Sequence, residues 1–89
     1  MDYQWNPIKA KSNYQKHGVY FSDAEFIFED ALAIKIPDDC TEEERFAVLG
    51  MDAFGRILVV VYTWRDDDIR IISARKATPG QCKWYEEKR

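Results

Sequence analysis

Residues 57–64 read ILVVVYTW, and this run constrains the fold more than any other stretch. Alternate residues of an extended strand point to opposite faces. A run that is apolar on both parities therefore belongs at the centre of a sheet covered on both faces, or nearly so. The rest of the chain has to supply its neighbours and its cover.

The neighbours are legible on either side. Leu32, Ile34 and Ile36 alternate with Ala33 and Lys35 until Pro37 stops the strand. Phe46 and Val48 alternate with Arg45, Ala47 and Leu49, and the glycine turn MDAFGR leads into the central run. RDDD then turns the chain into IRIISARKAT, residues 69–78, where Ile69, Ile71 and Ile72 read as buried. Tyr3-Gln4-Trp5 has the alternation of a short edge strand.

Helical signals bracket these strands. Asn6 followed by Pro7 predicts a cap and first helical residue, with the helix running to His17 and ended by Gly18. Ser22-Asp23-Ala24-Glu25 reads as a capping box, with Phe21 and Phe26 as its hydrophobic staple. Thr78-Pro79-Gly80-Gln81 is a further cap signature before a last helix that carries Cys82, Trp84 and Tyr85. The order is β-α-α-β-β-β-β-α in one domain, residues 1–89. Short connections predict an α+β fold, an antiparallel β-sheet with helices packed on one face.

Net charge is −3, from 13 basic and 16 acidic residues. Half of the acid lies in two runs, Asp38, Asp39 and Glu42–Glu44, and Asp66–Asp68. The remainder carries a balance of +5, which leaves room for a basic surface with acid confined to loops. No apolar run approaches the ~20 residues of a membrane span. The start MDYQWNPIKAK lacks the basic and apolar segments of a signal peptide. Cys40 and Cys82 form no metal-ligand spacing and read as reduced thiols, so the expectation is a cytoplasmic protein with no metal and no cofactor.

A burial argument picks out the cations. Arg70 and Arg75 sit in or at the end of a buried strand, and an unpaired buried charge is costly. In a regular strand Ser73 and Arg75 share a face with Ile71, whereas Arg70 shares one with Ile72 and Ala74. Arg75, beside Lys76 and the helix start at Thr78, is then the better anion-binding candidate, with a structural pairing as its alternative, and Arg70 is expected to pair with Asp66–Asp68 or with Glu44. Arg45 repeats the theme on a neighbouring strand. His17, the lone histidine, is either a helix-end cap near Tyr14 or a general acid/base. Arg56 flanks the central strand. Tyr85, one turn after Gln81, is either core packing or a proton donor.

Taken together, these segments resemble the BrnT-type toxins of bacterial type II toxin–antitoxin modules. The resemblance is carried by Asn13, Lys16-His17-Gly18-Val19 and Phe21, then by Glu44-Arg45, Gly55-Arg56, Val61-Tyr62-Thr63 and Ile69 to Ala77. It implies a compact fold similar to RelE, cleavage of RNA without a metal, and growth arrest. It also implies neutralisation by a BrnA-type antitoxin with a ribbon-helix-helix part, through which alone the toxin would meet DNA. Cleavage by the RNA 2′-hydroxyl needs a base, an acid and cations, and the candidates are Lys16, His17, Arg45, Arg75 and Tyr85. Ser73, Lys76 and Arg56 are the candidate RNA contacts. The competing reading is a non-enzymatic module that binds the antitoxin and modulates operon repression.

Overall fold

The computed structural model describes residues 2–37 and 44–87; the acidic run at 38–43, with Cys40, lies outside them. Its elements are β1 (Tyr3–Gln4), α1 (Pro7–His17), α2 (Phe21–Ala24) running on into a 3-10 turn (Glu25–Glu29), β2 (Ile34–Ile36), β3 (Phe46–Met51), β4 (Ile57–Arg65), β5 (Asp68–Lys76) and α3 (Pro79–Glu87). The α+β class and the element order are those expected. The sheet runs β1-β5-β4-β3-β2, with the expected antiparallel meander from β2 to β5.

Two features add to that picture. β1 joins β5 in parallel, Tyr3 opposite Ile69 and Gln4 opposite Arg70, so the sheet is mixed. The helices also divide between its faces. Val19, Phe21, Ala24 and Ile27 cover Val48, Leu58, Val60, Tyr62, Ile69, Ile71 and Ala74 on one side. On the other, Tyr85 of α3 packs on Ala47, Leu49 and Val59. The two-sided apolar pattern of residues 57–64 thus finds its cover on both faces.

The helix ends follow local chemistry. Asn6 Oδ1 accepts from the N–H groups of Ile8 and Lys9, and Gly18 ends α1 at φ 70° with its N–H on Tyr14 O. Thr78 and Gln81 cap α3 reciprocally, at 3.0 and 3.2 Å. The expected capping box at Ser22 does not form. Tyr20 occupies the cap position without a side-chain hydrogen bond, and Phe26 stays exposed rather than stapling. Core burial decides this start: Val19, Phe21, Ala24 and Ile27 are all buried, and that spacing carries the chain into the helix two residues earlier. Gly50 is required on β3, because a Cβ there would meet Ile27 Cγ2 at 2.8 Å.

One irregularity matters most for the site. Val61 lies opposite Ser73, yet Tyr62 lies opposite Ile71, so Ile72 is an extra residue on β5. Beyond the bulge, Ala74 rejoins Ile71 and Ile69 in the core. Ser73, Arg75 and Arg70, opposite Val61, Val59 and Thr63, share the other face. The regular-strand reading, which set Arg70 and Arg75 on opposite faces, is corrected by this bulge. Arg70 makes no ion pair among the described residues either. Asp68 is held instead by the Asp2 N–H and the Gln4 side-chain amide, both at 2.9 Å.

A cationic cleft beside the first helix

α1 lies against the outer edge of β5, beyond the end of β1. Asn13, buried, holds it there: its Nδ2 donates to Ala74 O at 2.8 Å and to Val19 O at 3.1 Å. Its Oδ1 accepts from the Ala74 N–H at 3.1 Å. One side chain thereby satisfies both polar groups of Ala74 on the side of β5 away from β4, beyond the end of β1.

Lys9, Ser12 and Lys16 recur at helical spacing on one side of Asn13, and with His17 they form one wall of an open cleft of about 300 Å³. Ile72 and Ser73, at the bulge, form the floor. Arg45 closes the far side. The backbone just before it is fixed to β4, since Thr63 Oγ1 donates to Glu44 O at 2.8 Å. Three cations and the one imidazole face this space, and among the described residues no carboxylate lines it. Lys16 and His17 occupy the last turn of α1, where the negative end of the helix dipole favours cations.

The cleft therefore gathers Lys16, His17, Arg45 and Ser73 of the candidate set from three separate stretches of the chain. It does not gather the other four. Arg75 Nη1 donates to Lys76 O and to Gln81 Oε1, both at 3.2 Å, and so braces the α3 cap. Lys76 is exposed at the strand end. Arg56 is tied to the buried Asp52 at 2.7 Å and to Asp23 at 3.4 Å, joining the β3–β4 turn to α2. The buried Tyr85 donates to Asp30 Oδ2 at 2.5 Å, beside a hollow lined by Glu29, Asp30 and Asp52 that repels phosphate.

Sequence reasoning missed Lys9, Ser12 and the load on Asn13. The i, i+3, i+4, i+7 spacing of Lys9, Ser12, Asn13 and Lys16 would have found them. Among the described residues, no group of three or more histidine, cysteine or acidic side chains is placed to hold a metal. No helix there is long and apolar enough to cross a membrane.

The fold and the cleft together define a small α+β domain with a cation-lined cleft beside the C-terminal end of its first helix. The chain belongs to the BrnT family: the family model for the "Ribonuclease toxin, BrnT, of type II toxin-antitoxin system" matches residues 5–80. That match includes every cleft residue and stops short of Tyr85. The crystal structure of the Brucella abortus ribonuclease toxin BrnT is similar, at 27% identity and a TM-score of 0.69. The likeness covers 88% of this chain and 97% of that one. No curated protein matches the chain.

Proposed function

We propose that the chain is a toxin that cleaves RNA at the α1 cleft without a metal and is silenced when its cognate antitoxin covers that cleft. The supporting observation is the lining. A chain of net charge −3 concentrates Lys9, Lys16, His17 and Arg45 around one hollow.

In this reading Arg45 and Lys16 grip the scissile phosphate from opposite walls and offset the charge that builds on its oxygens in the transition state. His17 handles the proton. As a base it takes the 2′-hydroxyl proton while that oxygen attacks the neighbouring phosphorus and the bond to the 5′-oxygen breaks. The leaving 5′-oxygen needs a proton in return, which an ammonium or a hydroxyl at the cleft can give. The products are a 2′,3′-cyclic phosphate and a 5′-hydroxyl, and no step calls for a metal-bound water.

The test is cleavage of RNA by purified protein in excess EDTA. Full activity with chelator supports the reading, and activity that vanishes with EDTA and returns with Mg²⁺ overturns it. The acidic net charge favours the second reading, an antitoxin-binding module without nuclease activity. RNA that is bound at low salt and left intact would favour that one.

A further inference from the structure

A second hollow, of about 270 Å³, lies on the flank of α1 away from the cleft, and the chemistry above does not use it. Tyr14 and Tyr20 stack there with ring centroids 4.0 Å apart and planes 14° from parallel. Both are exposed, Tyr20 by 53%. Trp5 forms a wall, held edge-on against the buried Phe21 at 6.0 Å, and Lys11 adds a cation at the rim. Exposed rings gathered in one place mark a binding surface more often than chance packing.

The position narrows what binds. Tyr14 and His17 are three residues apart on α1 and are therefore surface neighbours. His17 lines the cleft and Tyr14 lines the hollow, so the two sites meet at the C-terminal end of the helix. An α-helix is roughly 10–12 Å across with its side chains, a distance that a short length of single strand spans. Lys11 on one flank, with Lys9 and Lys16 on the other, gives a phosphate backbone cations on both sides of that path.

Resting on the ribonuclease reading, we propose that the Trp5–Tyr14–Tyr20 hollow stacks an unpaired base of the RNA, a few nucleotides from the phosphate in the cleft. The ligand class is single-stranded RNA, because a base inside a duplex has both faces covered by its neighbours. Stacking on tyrosine tolerates every base, since each has a π face. The hollow thus selects strandedness and holds the chain, while the cleft does the chemistry.

The test uses non-cleavable 2′-O-methyl oligomers, single-stranded and duplex, with binding read by fluorescence anisotropy at fixed salt. Tyr20→Ala should weaken single-strand binding on the order of tenfold. Tyr20→Phe should keep it, and duplex binding should be the same for all three proteins. An abasic position scanned along the strand should weaken the wild type at one place and leave Tyr20→Ala unmoved there. Tyr20 is exposed, so an unchanged thermal midpoint confirms that the variant is folded. If Tyr20→Ala binds like the wild type while Lys16→Ala is weakened, the stacking site is wrong and the cleft stands. If Tyr20→Ala loses the antitoxin and not the RNA, the hollow belongs to a protein partner and the proposal is overturned. A wild-type protein that binds no RNA even at low salt removes the ribonuclease reading and this one with it.

Discussion

Arg70 and Arg75, five residues apart in β5, lie on the same face of the sheet. Arg70 stands opposite Thr63 and Arg75 opposite Val59, and the bulge at Ile72 absorbs the odd residue between them. The same bulge turns Ser73 out of the core and lets Ile72 form the cleft floor with it. A one-residue insertion has thus re-aimed one strand end without disturbing the core on either side of it.

Deletion of Ile72 should accordingly be tolerated by the fold. Ile71 already pairs with Tyr62 and Ser73 with Val61, so removing the residue between them leaves a continuous ladder with the same faces. We expect a Tm loss on the order of 5–10 °C together with a large loss of RNA cleavage, because the cleft floor is gone. Thermal melts and cleavage assays on the deletion variant check this. An unfolded product, or one with full activity, contradicts it.

The two arginines nearest the ends of the sheet should separate by phenotype. Arg45 lines the cleft, whereas Arg75 braces the α3 cap through Gln81. Arg45→Ala should lower cleavage on the order of 10²-fold per folded molecule. Arg45→Lys should recover part of it, since an ammonium lacks the planar fork that grips two phosphate oxygens. Arg75→Ala should act mainly on stability, by about 1 kcal/mol for the lost hydrogen bonds. The reverse assignment, with Arg75→Ala inactive and fully stable, would move the site to the strand end.

These cases show how far the residues could be read before the fold was known. Period and caps were enough for α1, β3, β4, β5 and α3, because local propensity and core burial agree there. The start of α2 was misplaced where a polar cap signal at Ser22 competed with the burial of Phe21, and burial won. The cleft was half legible. Lys16, His17, Arg45 and Ser73 stand out as residue types, but their meeting depends on a bulge and on Asn13 docking α1 to the edge of β5. Neither is visible in a pattern of alternation, since a bulge breaks the parity from which faces are inferred.

Asn13 should be among the costliest polar residues to lose. Its side chain satisfies the N–H and C=O of Ala74 and the C=O of Val19, all buried. Asn13→Ala would leave three backbone groups without partners, a loss of about 3 kcal/mol and a Tm drop of more than about 10 °C. Asn13→Asp should fare little better, because a carboxylate cannot donate to the two carbonyls. Chemical denaturation of both variants tests this, and a change below about 1 kcal/mol would mean that α1 is held by other contacts.

Two carboxylates should give the stability curve opposite slopes in acid. The backbone N–H of Asp2, then the Gln4 amide, hold Asp68 below its ordinary value of 3.8. Its contribution is therefore complete above the unfolded value and is lost as pH falls through the folded one. Burial, then the charge of Glu29, push Glu25 upward from 4.5. That group opposes folding at neutral pH, and the opposition fades as pH falls and the carboxyl takes up its proton. Asp68→Asn should thus lower Tm at pH 7, modestly because solvent reaches the site, and the gap to wild type should close as pH falls through the folded value. Glu25→Gln should raise Tm at pH 7, and that gap should close on the acid side of about pH 4. Melting curves from pH 2.5 to 7 measure both, and added salt should shrink the Glu25 effect where it comes from Glu29. Gaps that persist unchanged to the acid limit would mean that neither carboxylate's charge is what the two substitutions remove.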